Sequence, residues 1–284
     1  MSEQVEKWDL EIKPTGSLFH INFKELIHHR DLIVMFVKRD FSTVYKQTIL
    51  GPLWFFIQPI LTTIMFVIVF GRLANISTDE IPQPLFYLSG ITIWNYFSDC
   101  LINTSDTFIK NANIFGKVYF PRLIVPISVV VSNLMKFGVQ MLLFLLVYFY
   151  YIIFTNKPIH PNATLLLLPV LVFIMGIFGL GLGMIITALT TKYRDLRFLI
   201  TFGVQLLMYA VPIIYPLSVV SPKKRWIMEL NPITSVIEAF KYSFIGKGSF
   251  TMNGLAISFT VSIVILLFGT VIFNKVEKRF MDTV

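Results

Sequence analysis

The sequence predicts an all-α, polytopic membrane protein with six transmembrane helices, an N-terminal amphipathic interface helix and short outer re-entrant helices. Three observations carry that fold class. Hydrophobic residues fill 55% of the 284 positions and charged residues only 14%, against about 25% charged in a soluble domain. Six separate stretches are apolar over close to the roughly 20 residues that cross a ~30 Å hydrocarbon core. Lys and Arg gather in alternate connections, as they do where cytoplasmic loops retain cations.

The elements follow in order. Residues 1–50 form a cytoplasmic head and 51–284 the six-helix transmembrane domain. Between Asn22 and Lys46 the head places Phe23, Leu26, Ile27, Ile33, Val34, Val37, Phe41, Val44 and Tyr45 at helical spacing on one face. Lys24, His28, His29, Asp31, Lys38, Arg39 and Lys46 lie on the other, with Leu32 and Phe36 on this polar side. Such a helix lies in the interface plane. The six spans are expected at Trp54–Phe70, Leu85–Ile102, Leu123–Phe154, Thr164–Leu189, Phe198–Tyr215 and Leu255–Phe273. Trp54, Trp94, Tyr148, Tyr150, Tyr151 and Tyr215 offer interfacial anchors.

Cations in the head, in the second and fourth loops (Lys110, Lys117, Arg122; Lys192, Arg194, Arg197) and in the tail place both termini in the cytoplasm. The fifth loop resists this count, because Lys223, Lys224, Arg225, Lys241 and Lys247 would lie outside. It reads as structured: Ser221-Pro222 and Asn231-Pro232 each pair a capping residue with a proline at the first helical position. Gly246 can end the second helix.

The net charge of +8 follows from cation retention in cytoplasmic loops, and no separate basic domain is available for nucleic acid. A single cysteine, Cys100, excludes an internal disulfide, and the charged head does not read as a signal peptide. Phosphate-loop chemistry is missing: Gly246-Lys247-Gly248-Ser249 comes nearest, with Lys241 where the upstream glycine belongs. His20, His28, His29 and His160 have no metal-ligand spacing. Lys136 is a cation within the third span, at home either on a hydrated path or in a pair with a neighbour such as Asp99. Gly179, Gly181 and Gly183 allow close helix approach, more often within one subunit than across a dimer seam.

The order of short motifs then resembles a known family. Lys38-Arg39-Asp40-Phe41, Tyr45-Lys46, Leu50-Gly51-Pro52-Leu53-Trp54 and Gln58-Pro59 open the series. Tyr87-Leu88-Ser89-Gly90, Lys117-Val118-Tyr119-Phe120-Pro121-Arg122, Tyr193-Arg194-Asp195-Leu196, Asn231-Pro232 and Glu238-Ala239-Phe240 continue it. Over roughly residues 30–275 this is similar to the ABC type-2 permeases that export polysaccharides such as O-antigen, capsule and teichoic acid. Lys46 and Gln47 depart from it, standing where arginine and glycine are often seen.

The resemblance implies a permease subunit that moves a lipid-linked, O-antigen-like polysaccharide across the bacterial inner membrane. It implies a homodimer working with two copies of a separate ABC ATPase, which would bind the ATP and Mg; no cofactor is expected in this chain. Asp106–Phe120 and Thr191–Arg197 look like the cytoplasmic couplers, with Lys110, Phe115, Lys117, Tyr193, Arg194 and Asp195 as contact residues. The helices of 222–246 look like an external gate. Arg39 and Lys46 are expected to meet either the carrier's diphosphate or the anionic headgroups of the membrane. A path for sugars calls for aromatic faces, so Trp94, Tyr96, Tyr209 and Tyr215 join Lys136 as expected path residues. The alternatives are an exporter of a drug or small lipid, or a membrane-embedded transferase, for which no convergent acid–base pair is evident.

Overall fold

The computed structural model describes residues 23–46, 50–115, 117–118, 120–155, 159–193 and 195–281, without the side chains of 23–25, 44–46 and 278–281. Every regular element among the described residues is helical. The head comprises α1 (Phe23–His28) and α2 (Arg30–Lys46). Then come α3 (Trp54–Phe66), with a π-helical extension to Leu73, α4 (Gln83–Ser105) and the short α5 (Thr107–Phe115). The remainder is α6 (Ile124–Phe154), α7 (Leu168–Lys192), α8 (Leu196–Leu207), α9 (Pro222–Glu229), α10 (Pro232–Ile245) and α11 (Met252–Met281).

Among the described residues, four segments are long and apolar enough to cross a membrane: Gly51–Leu73, Ile124–Phe154, Ala163–Lys192 and Met252–Glu277. They coincide with the expected first, third, fourth and sixth spans, and the chain is a multi-pass membrane protein. The second, α4, has the length but is interrupted by Asn95, Asp99 and Asn103. Its neighbours wrap it so closely that every residue from Leu85 to Trp94 is buried. Protein rather than lipid surrounds these side chains, which removes the pressure for uniform apolarity. The fifth, Leu196–Ala210, is apolar but short. Beyond it Val211, Ile213 and Ile214 are buried in a non-helical stretch.

The core centres on α7, between α4 and α11. Its glycines decide that position. A Cβ on Gly179 would stand 2.8 Å from Cys100 Cβ, and one on Gly183 would stand 2.6 Å from Thr104 Cβ. One on Gly181 would stand 2.8 Å from the Leu266 backbone on the other side. Alternate glycines thus admit α4 and α11 to opposite faces of one helix, and the motif packs within the chain.

The head is helical, but the face it turns to the protein is rotated from the expected one, keeping only part of it, Leu26 and Ile33, inward. Leu32 and Phe36 pack inward, Phe36 being 2% exposed, while Ile27 and Val34 are largely exposed. Phe36 wins because it can join an aromatic cluster, its ring 5.8 Å from Phe120. Ile27, Val34 and Met35 remain free to contact headgroups and acyl chains. Phe23, Val44 and Tyr45 of the expected face lie outside the described side chains.

Polar contacts gather at two ends. One end, with α2 and α5, also holds the α7–α8 connection and the tail. The far end holds α9 and α10 against the connections near residues 79 and 160. There Asn231 caps α10, its side chain accepting from Ile233 N at 3.1 Å, and Gly246 ends the helix at φ 79°. Ser221 precedes Pro222 but makes no side-chain cap. Of the five cations that resisted the charge count, Lys247 pairs with Glu80 at 2.6 Å, Arg225 with Glu229 at 2.9 Å, and Lys241 is buried.

Candidate functional site

The head end is built around a buried carboxylate. Asp106 stands at the corner where α4 passes into α5, and its side chain is fully buried. Arg197 Nε approaches it to 3.0 Å from the start of α8, and Lys110 Nζ to 3.4 Å from one turn further along α5. Two hydroxyls reinforce the corner. Thr187 Oγ1 donates to Thr104 O at 2.7 Å, and Thr190 Oγ1 donates to Ser105 O at 2.6 Å. The end of α7 is therefore bonded to the end of α4, and the two segments named as couplers share one buried anion. Removing either cation would leave that anion poorly compensated in a low dielectric.

The expected coupler residues divide into a surface and a support. Lys117, Tyr193 and Asp195 are exposed at this end, and Lys192 Nζ lies 5.0 Å above the Tyr193 ring. Phe115 is buried instead, with its ring 5.6 Å from Phe108, which stacks at 4.8 Å on Phe273 of α11. Lys110 serves Asp106 and also donates to Asn103 Oδ1 at 3.3 Å. Arg122 pairs with Glu277 at 3.7 Å and so holds the tail to the same corner. Arg194 lies outside the described residues.

A polar seam climbs from this corner between α4 and α6. Asn103 Nδ2 donates to Asn133 Oδ1 at 3.2 Å, Lys136 pairs with Asp99 at 2.7 Å, and Asn95 Nδ2 approaches Gln140 Oε1 at 3.4 Å. The spacing of four on α4 puts all three rungs on one helix face. Lys136 is thus not a solitary cation: Asp99 is its partner, and the Phe55 ring of α3 lies 5.6 Å away. The pair gives two charges a common shelter at a depth where one alone is costly.

Arg39 is engaged inside the chain. It donates to Asp40 Oδ1 at 2.8 Å and to Asn111 Oδ1 at 2.9 Å, and stacks 4.7 Å above Phe36. With Leu32, Phe36, Ile114 and Phe120 it lines an apolar cleft of about 280 Å³. The Lys46 side chain lies outside the described residues. Trp94 and Tyr96 are buried in the core, packed on Phe97 and Phe137 at 5.5 and 5.2 Å. Tyr209 is exposed, and its carbonyl accepts from Tyr215 Oη at 3.2 Å. The structure therefore brings Lys136 and Asp99 together and Tyr215 to Tyr209, but leaves Trp94 and Tyr96 apart from these in the core.

Sequence reasoning passed over Lys241. It is a buried lysine on α10, outside the spanning segments; its Nζ donates to Pro212 O, sits 3.8 Å above the Phe86 ring and lies 3.8 Å from Glu238 Oε1. Burial pushes its ammonium down to about 8, against the pull of Glu238. The signal available was Glu238 three residues earlier on an otherwise apolar helix face.

Residues 31–245 match the family model described as ABC-2 type transporter. The chain belongs to the ABC-2 type transporter family. Such a chain is the membrane part of an ABC transporter and works with an ATPase partner. This transporter is 28% identical over 254 residues to a Klebsiella pneumoniae protein named O-antigen export system permease protein RfbA, covering 89% of this chain and 94% of that one. A Myxococcus xanthus protein of the same name is 28% identical over 264 residues, covering 92% and 98%. The Escherichia coli K12 inner membrane transport permease YadH is 22% identical over 212 residues, covering 72% and 78%.

Proposed function

We propose that the chain is the permease subunit of an ABC exporter that moves a lipid-linked, O-antigen-like polysaccharide across the bacterial inner membrane. The observation that carries this reading is the likeness to proteins named O-antigen export permeases, which extends over 89% of this chain and 94% of the relative. YadH matches less of the chain and at lower identity. In this reading the permease is a homodimer whose six spans include α4 and α8, with both termini in the cytoplasm. Two ATPase copies dock on the exposed surface around Lys117, Tyr193 and Asp195. They bind the ATP and Mg.

The mechanism runs through Asp106. ATP-driven closure of the ATPase dimer pushes on the two couplers. Because Asp106 joins Arg197 to the α4–α5 corner, the push reaches α4 and α7 as one displacement and changes the spacing of the two permease copies. A path opens between them, and successive cycles pass the glycan outward. The apolar cleft under Arg39 is suited to the carrier's lipid chain, and the Arg39 guanidinium to its diphosphate once Asp40 yields.

Two measurements test this. Co-purification in mild detergent should recover a stoichiometric ATPase whose hydrolysis changes on Tyr193→Ala or Asp195→Ala. A clean gene deletion should abolish the surface glycan, and normal glycan export from that strain would sink the proposal.

A further inference from the structure

The connection before α11 carries five cations on the side that the proposed orientation places outside. Three are answered within the chain: Arg225 by Glu229, Lys247 by Glu80 and Lys241 by Glu238. Lys223 and Lys224 are exposed instead, and among the described residues no ion pair joins either to a carboxylate. The acids of this end are already engaged. Asp79 accepts from Ser218 Oγ at 2.8 Å, and Glu80, Glu229 and Glu238 hold the other three cations.

The helix that carries the two lysines, α9, is amphipathic. At about 100° per residue, Trp226, Leu230, Lys223 and Ile227 fall within a third of its circumference, and Lys224 borders them. Trp226, Ile227 and Leu230 are each more than half exposed, as is Val219 just before the helix. Arg225 and Met228, on the opposite side, are half-buried. The depth of α9 follows from α11. Trp226 and Leu230 line one groove with Asn253, Gly254 and Ile257, so α9 lies beside the first turns of that helix. The spanning segment there, Met252–Glu277, has 26 residues. At roughly 1.5 Å per residue it is about 39 Å long, more than the ~30 Å hydrocarbon core. Its ends therefore reach the headgroups, and α9 sits at that boundary.

Other surroundings suit this face poorly. Water would leave the indole and two aliphatic side chains uncovered. Hydrocarbon would strip two ammonium groups of their hydration. A second copy would bring the same two lysines, with its own carboxylates at this end likewise engaged. An anionic headgroup layer answers every group: phosphates take the lysines, the indole lies at the interface, and Ile227 and Leu230 reach the first acyl carbons. We infer that α9 rests in the outer headgroup layer and binds anionic glycerophospholipids through Lys223 and Lys224. Asn231, the cap of α10, follows α9 almost directly, so this contact pins the start of α10 to the membrane surface. Only the choice of leaflet rests on the exporter reading.

Trp226 fluorescence on the full chain in lipid nanodiscs tests it. The Trp226 emission is the difference between the native chain and Trp226→Phe. The probes are phosphatidylcholine bilayers carrying equal mole fractions of dibrominated phosphatidylglycerol or dibrominated phosphatidylcholine, bromine being a contact quencher. The phosphatidylglycerol should quench Trp226 at least about twofold more strongly. Lys223→Gln with Lys224→Gln should bring the two lipids level, while Lys223→Arg with Lys224→Arg should keep the preference. Both lysines are exposed, so the thermal midpoint should stay unchanged in both pairs. Equal quenching by the two lipids in the native chain, or a preference that survives the glutamines, would overturn the site. Quenching by neither lipid would overturn it too, and would assign the face to a second copy or to the glycan. The exporter reading fails separately. A deletion strain that loses surface glycan while the two lipids quench alike keeps the exporter and removes the lipid site. A strain that keeps its glycan while phosphatidylglycerol is preferred does the reverse.

Discussion

The two ends of the bundle solve opposite electrostatic problems. At the head end a buried anion, Asp106, collects two cations whose own side chains are 46% exposed. At the far end a buried cation, Lys241, collects a backbone carbonyl, an aromatic face and a carboxylate that is itself only 4% exposed. The first arrangement has one member in the protein and two within reach of water. The second has every member inside. Desolvation falls on one ion at the head end and on two at the far end, so removing a partner has different consequences at each.

The head end gives the largest expected effect. Replacing both Lys110 and Arg197 by alanine leaves Asp106 buried without a counter-charge, at a cost of about 3–5 kcal/mol. Asp106→Ala should be milder, because both freed cations can turn to water. Adding Asp106→Ala to the double variant should then restore much of the lost stability. Thermal midpoints in detergent would check the series. The contrast fails if Asp106→Ala is more damaging than the double variant, or if the triple variant recovers nothing.

At the far end Lys241→Met should cost about 3 kcal/mol, since Glu238 loses its counter-charge and Pro212 O its donor. Pairing it with Glu238→Leu should cost less than the single change, as removing Asp106 along with its cations does at the head end. The depressed ammonium adds a pH test. The unfolded chain keeps this proton up to about 10.5, while the folded chain releases it near 8. Between these values the unfolded state binds more protons, so stability gains as pH rises through the window. Lys241→Met should remove that gain relative to the native chain.

Between the two ends, the Asp99–Lys136 rung is about a quarter exposed on both sides, so its removal should register less. Asp99→Asn or Lys136→Met should each cost about 1–2 kcal/mol, and the double-mutant cycle should return a coupling of about 1 kcal/mol. A coupling near zero would mean that the seam is held by its amide rungs instead.

How much of this was legible in the sequence depended on what each segment faces. α3, α6, α7 and α11 carry lipid-facing or uniformly apolar surfaces, and hydropathy alone locates them. α4 was placed by its length and order, yet its polar rungs made sense only once α6 was seen opposite. Lys136 could be read as solitary or paired until Asp99 was found 2.7 Å away. In the head, the period of α2 was visible but its inward face was not. Leu26 and Ile33 of the expected face pack against the aromatic cluster of Phe108, Phe115 and Phe120, but Leu32 and Phe36 join them there while Ile27 and Val34 stay exposed. Asp106 and Arg197 are 91 positions apart, from their numbering, and no local pattern announces such a tie.

The smallest effect sharpens the contrast between the ends. Tyr148, read from sequence as an interfacial anchor, is 4% exposed, and its Oη donates to Phe244 O at 2.8 Å. Phe244 lies in the last turn of α10, where carbonyls lack helical partners, so this bond joins the top of α6 to the end of that helix. Tyr148→Phe keeps the ring, which packs 5.6 Å from Phe244, and removes only the hydroxyl. It should cost about 1 kcal/mol. The bond is neutral and buried, so raising the salt should leave this cost unchanged, whereas the half-exposed cations around Asp106 should feel screening. A Tyr148→Phe cost that vanished at high salt would mean that the far end, too, depends on charge.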